Sequence, residues 1–230
     1  ALGVAGAPQA SISEEARVFA DAVAEDLRAA GARAVVVAGE AQPPAVHALA
    51  HAINAALGAV GTTLEYTDPV VANAANASDQ IAGLRQLVDD LNSGAVEVLV
   101  VLDSNPAFSA PADLGFADAM QRARLRVVLG YYNDETAALG NWFVPSTHNL
   151  ESWGDARAYD GSATLIQPLI DPLYGGHNAH NILSAMLGQT TESDFDVVRG
   201  FWQQQSGLEE AEFDNFFAGS LNNGVVPGTV

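Results

Sequence analysis

Apolar residues recur along this chain in two rhythms. Ile81, Leu84, Leu87, Val88 and Leu91 repeat at helical spacing and mark one face of a helix over residues 78–92. Short β-branched runs follow the other rhythm. Residues 33–38 (RAVVVA), 96–102 (VEVLVVL) and 125–129 (LRVVL) read as buried strands, with 62–67 (TTLEYT) and 142–144 as further short ones. The near-continuous apolar run 96–102 fits a strand covered on both faces, as in a parallel sheet. Helices are expected over 13–30, where Ser13-Glu14-Glu15 suits the electropositive start, and over 43–57, opened by Pro43-Pro44 and closed by Gly58. Further helices are expected over 111–121, 134–139, 178–187, 194–205 and 208–217, with 222–230 a frayed end.

Strands alternating with helices at this spacing predict βαβ units on a parallel sheet. The expected strand order is 2-1-3-4-5. Its topological switch would set the loops 39–43 and 103–111 side by side, the place where open α/β sheets bind ligands. Residues 1–12 read as a linker, 13–190 as the α/β domain and 191–230 as a C-terminal helical extension. The stretch 150–167 is read as loop-rich, with aromatics and glycines.

Composition narrows the function classes. The 230 residues hold 28 acidic and 9 basic side chains, a net charge of −19, and every basic one is arginine. Such a surface repels phosphate, which disfavours nucleic-acid and anionic-membrane partners. Two readings of the acidity stand: adaptation to high salt, where screening removes carboxylate self-repulsion, and an acidic docking face. The spread of acids along the whole chain favours the first. Cysteine is absent, so no disulfide, zinc–thiolate site or iron–sulfur cluster can be built from this chain. No apolar run is long enough for a membrane span, and no secretory signal opens the sequence.

Familiar catalytic patterns are missing. The first strand is followed by Ala38-Gly39-Glu40-Ala41-Gln42 rather than a glycine-rich dinucleotide turn, and there is neither a phosphate-binding P-loop nor a nucleophile elbow. His47 and His51 stand four apart on one helix, but no third ligand accompanies them, so they read as helix-surface or domain-contact residues and no metal site is assigned. His148, His177 and His180 read as structural hydrogen-bonding residues. The loop 103–111 (DSNPAFSAP) is the most informative segment: Asn105 can bond backbone groups, Pro106 fixes φ, and Pro111 opens a helix. It serves equally as a nucleotide or pterin contact and as a plain βα connection.

Several of these pieces, taken together, resemble one family. Residues 102–111 resemble the Gly-x-Asn-Pro loop of the molybdopterin oxidoreductases of the DMSO reductase type. Residues 51–61 (HAINAALGAVG), 142–161 (WFVPSTHNLESWGDARAYDG), 166–172 (IQPLIDP) and the helix 178–187 resemble that family's successive segments, in the same order. Within it, 36–47, 150–161 and 167–176 are most similar to the iron–sulfur B subunits of bacterial alternative complex III. The resemblance implies a three-layer αβα body with a mostly parallel, Rossmann- or flavodoxin-like sheet. It also implies a larger parent chain on the exported, periplasmic face of the membrane, in a quinol-oxidising respiratory complex, with this chain an internal fragment. Its partners would be the parent's other domains and the complex's subunits, without direct membrane insertion, and iron–sulfur clusters would lie elsewhere in the parent.

The departures bear on the cofactor. Ser104 replaces the family's glycine, and Asp103 puts negative charge where a diphosphate would lie. The first expectation is therefore a cofactor-free scaffold domain that transfers no electrons itself. The alternative is a domain binding molybdopterin guanine dinucleotide through Ser104, Asn105, Pro106, Trp153 and Asp155, with Asp155 or Asp103 pairing the guanine. A stand-alone small-molecule binder of the two-lobed type comes last, because only one βα array is visible.

Overall fold

The computed structural model describes residues 11–70, 80–189 and 193–229 of the chain. They divide into two compact units, residues 1–68 and 69–230.

In the first unit, α1 (Glu14–Ala30) begins where Ser13 Oγ accepts the Ala16 N–H, with Glu14 and Glu15 at its positive end, and stops at Gly31. Helix α2 (Pro44–Leu57) starts on a proline and ends at left-handed Gly58. Between them the expected strand 33–38 does not form. After a 3-10 turn at Gly31–Arg33 the chain runs without a ladder partner. The buried Asn54 side chain takes the neighbouring strand's place: its Oδ1 accepts the Val36 N–H at 2.7 Å and its Nδ2 donates to the Val36 carbonyl at 2.8 Å. A single amide thus meets the hydrogen-bonding demand that a sheet would meet. The expected strand 62–67 is also replaced. Thr62, Thr63 and Leu64 all direct their N–H groups to the Ala59 carbonyl, and Gly61 closes on the Leu64 carbonyl at 2.8 Å. This is a curled turn that includes an isolated Val60–Leu64 bridge.

The second unit is mixed α/β. Helix α3 (Gln80–Ser93) leads to β1 (Val98–Leu102), β2 (Leu125–Gly130) and β3 (Trp142–Pro145), which form a three-stranded parallel sheet in the order β1-β2-β3. The run 3-4-5 of the expected order 2-1-3-4-5 is formed, as β1-β2-β3, but the first two expected strands are not, so this sheet has its strands in sequence order and no reversal between neighbours. The β1–β2 crossover holds α4 (Pro106–Ser109), a 3-10 turn at Ala112–Leu114 and α5 (Phe116–Met120). The continuous helix expected over 111–121 is broken because Gly115 adopts φ 60°, which ends one turn and starts the next. The β2–β3 crossover holds α6 (Glu135–Ala138), capped by Asp134, whose side chain accepts the Ala137 N–H. Val88 and Leu91 of α3 pack with Leu99, Val101, Val128, Phe116 and Met120 in one apolar core.

The remainder of this unit builds a second core. Strands β4 (Gly154–Arg157) and β5 (Ala163–Ile166) form an antiparallel hairpin where the sequence reading expects loop. Its turn is closed by the Gly161 N–H on the Ala158 carbonyl at 3.0 Å, with Tyr159-Asp160 in the middle and Gly161 following at φ 93°, and its strands are only four residues each. Helices α7 (Ala179–Met186), α8 (Asp194–Ser206) and α9 (Glu210–Asn223) follow. Phe213, Phe217, Val198 and Trp202 of α8 and α9 bury against Ala163 of β5. The segment 191–230 thus shares its core with the hairpin. The chain end is docked where fraying was expected: Val226 is buried and donates its N–H to the Ala163 carbonyl at 2.8 Å, and Thr229 Oγ1 accepts the Ala163 N–H. The expected linker lies mostly outside the described residues, as does Ser78 of the expected helix 78–92.

Candidate functional site

The carboxyl ends of the three parallel strands converge on one cleft. Beyond β1, Asp103 adds one more rung by donating its N–H to the Leu129 carbonyl at 2.9 Å. It then turns the chain sharply with φ 46°, the positive value found at a non-glycine among the described residues. Beyond β2 comes Tyr131. Beyond β3 the chain runs through Ser146, whose N–H donates to the Gly130 carbonyl at 2.8 Å, and into Thr147, whose N–H donates to the His177 carbonyl at 3.1 Å. This last strand-like contact needs Gly176. A Cβ there would stand 3.1 Å from the Pro145 carbonyl oxygen and 3.2 Å from the Thr147 Cγ2 methyl.

The cleft encloses about 180 Å³, and its lining includes Asp103, Tyr131, Thr147, Trp153, Asp155 and His180. No lysine or arginine lines it. Larger open grooves of about 560 Å³ and 430 Å³ lie elsewhere, the first between β3 and α7, the second beside Trp202 and the chain end.

The structure separates the expected contact residues. Trp153 and Asp155 line the strand-end cleft, whereas Ser104, Asn105 and Pro106 do not. Pro106 starts α4, and Ser104 is exposed. Asn105 turns toward α6: its Nδ2 donates to Glu135 Oε2 at 2.7 Å, and its Oδ1 accepts the Thr136 hydroxyl at 2.6 Å. Thr136 is fully buried and its oxygen also accepts the Ala107 N–H, so the triad ties the β1–α4 turn to α6. The Asn105 amide, aided by the backbone N–H of Glu135 itself, holds the Glu135 carboxyl below the usual carboxylate range.

The two cleft residues are also engaged. Asp155 Oδ2 accepts the Trp202 indole N–H at 2.8 Å. The Trp153 ring meets Phe195 edge-on at 4.9 Å between centroids, its N–H group on the backbone donates to Asp194 Oδ2, and its carbonyl accepts Asn178 Nδ2.

The cleft is smaller than the roughly 300–1,000 Å³ of drug-sized ligand pockets. A diphosphate would meet the Asp103 and Asp155 carboxylates with no arginine to offset them.

The histidines scatter by role. His51 Nδ1 lies 2.8 Å from the Tyr66 hydroxyl in the first unit, and His148 Nδ1 accepts the Leu150 N–H at 3.2 Å. Among the described residues no group of three or more His, Asp and Glu side chains is arranged to hold a metal ion. Two groups escaped the sequence reading as site features: Thr147 Oγ1 and His180 Nδ1 are buried without a hydrogen-bond partner. The signal that marks Thr147 is its place just past the carboxyl end of a parallel strand; His180 carries no such signal in the sequence.

No family model matches the chain, and no curated protein matches it significantly.

Proposed function

We propose that this chain is an architectural, cofactor-free part of a quinol-oxidising respiratory complex, of the kind formed by the iron–sulfur B subunits of alternative complex III. In this reading the parallel sheet belongs to a three-layer αβα body of the molybdopterin oxidoreductase type. Electrons move through iron–sulfur clusters elsewhere in the parent, on the exported face of the membrane.

One observation carries the proposal. The polar groups best placed to meet a pterin dinucleotide are spent inside the chain: Asn105 on Glu135 and Thr136, and Asp155 on Trp202. Freeing them would leave the buried Thr136 hydroxyl and the buried Trp202 indole short of partners, which opposes opening the site. The motif order described above supplies the family, and the surface supplies support for packing. Tyr159, Leu169, Leu173 and Tyr174 are all more than half exposed along the stretch between β4 and α7. Exposed apolar side chains on one connected stretch mark a surface suited to neighbouring protein.

The reading is tested in native membranes. An antibody raised against this chain should follow quinol-dependent reduction of an electron acceptor through detergent solubilisation and native electrophoresis. Recovery of the chain away from any quinol-oxidising complex would overturn it. No membrane-spanning helix is needed from the chain itself: among the described residues, no helix is long and apolar enough to cross a bilayer.

A further inference from the structure

We propose that the outward face of α7 docks a basic amphipathic helix of a partner protein. A helix on a protein surface ordinarily turns its apolar stripe to the core and its polar side to water. Helix α7 does the reverse. Its buried residue is Ser184, whereas Leu183, Met186 and Leu187 are 46%, 62% and 77% exposed. These three fall at i, i+3 and i+4, so they share one patch of the helix surface. Ile182 stands one turn before Met186, and with Ala185 it lines the groove of about 560 Å³ that also includes Phe143 and Val144 of β3. The apolar surface therefore continues from the groove onto the solvent side of the helix.

Charge selects the occupant. From Leu173 to Gln189 no side chain carries a formal charge, and between Arg157 and Arg199 every charged side chain is an acid. Asp171, two residues before Leu173, and Asp196, on α8, are exposed on either side of this neutral stretch of chain. A neutral apolar centre with acidic flanks complements a helix whose apolar stripe is edged by lysine or arginine. Laying such a stripe into an apolar groove is a recurring mode of helix recognition. A second copy fits poorly, because acidic flanks would meet and each copy brings a net charge of −19. An anionic bilayer is repelled for the same reason. The partner is defined by chemistry alone, so the face would dock such a helix whether or not the chain belongs to a respiratory complex.

The probe is a fluorescein-labelled peptide of about 18 leucines and lysines, about five helical turns, patterned to put every leucine on one face. Its anisotropy is followed as the chain is added at about 0.15 M sodium chloride. A scrambled peptide of the same composition and a peptide with glutamate for lysine are the comparisons. The expected result is saturable binding of the patterned basic peptide, at least about tenfold tighter than either comparison. The joint variant Leu183→Gln, Met186→Gln keeps the net charge and should weaken binding at least about tenfold. Phe19→Gln on α1, also an exposed apolar position, should change it by less than about twofold. Equal binding of the scrambled peptide would mean attraction by net charge alone and overturns the proposal. Undiminished binding by the folded double variant overturns it too. Sedimentation equilibrium should find the unaltered chain monomeric; a dimer dispersed by L183Q/M186Q would give the face to a second copy instead. The comparison of peptides on the unaltered chain decides the question even where the double variant fails to fold.

Discussion

At the scale of single residues, side chains take over work that the backbone pattern assigns to strands. Asn54 is the clearest case, because nothing in RAVVVA shows that a helix residue 18 positions after Val36 will hold its peptide groups. Asn54→Ala should leave both groups unpaired and cost about 1–3 kcal/mol. Native-state hydrogen exchange at Val36 should accelerate sharply, while amides of β2 keep their protection. Acid sensitivity also belongs to this scale. Asp196 caps α8 through Ser193, whose hydroxyl and then backbone N–H hold the Asp196 carboxyl below its ordinary value. A folded value below the unfolded one favours the carboxylate, so this contribution is fully present at neutral pH. It is lost in acid, as pH falls past the ordinary aspartate range and through the lower folded value. Thermal melts between pH 7 and 3 should show a steeper acid loss for the natural chain than for Asp196→Asn. Relief of general repulsion between acids acts nearly equally on both, so the difference isolates the cap.

At the scale of elements, helices with strong end signals were legible. Ser13 caps α1, Gly58 ends α2, and Asp134 caps α6, each as its residue type dictates. Strands were legible only where a neighbour exists to pair with them. The apolar runs at β1 and β2 became a ladder, whereas 33–38 has equal β-branched content and none, because a strand's partner is not encoded in its own period. The hairpin β4–β5 failed in the opposite direction: its strands are only four residues long, β4 is mostly exposed, and their stability comes from α8 and α9 packed against β5. The cleft was half legible. Trp153 and Asp155 were found through the motif resemblance, but Thr147 and His180 matter through burial, which no local pattern reports. The element-level prediction is that Phe213→Ala opens the second core and costs about 3–5 kcal/mol in denaturant unfolding. Asp155→Ala leaves that core in place, strips the buried Trp202 indole N–H of its partner and should cost about 1–3 kcal/mol.

At the scale of the whole molecule, charge and cofactor chemistry decide the account. With 28 acidic against 9 basic side chains, pairs such as those of Arg199 with Glu210 and Asp214 leave most of the net charge of −19 and its self-repulsion unrelieved at low ionic strength. Thermal stability should therefore rise from dilute buffer to molar sodium chloride; equal melting temperatures would count for a localised acidic docking face instead. The central claim, that the strand ends carry architecture and no redox cofactor, meets its most direct test in the full-length protein. Acid-released pterin fluorescence and elemental molybdenum are measured per mole of purified chain. The account predicts that neither approaches stoichiometry, and one pterin and one molybdenum per chain would contradict it.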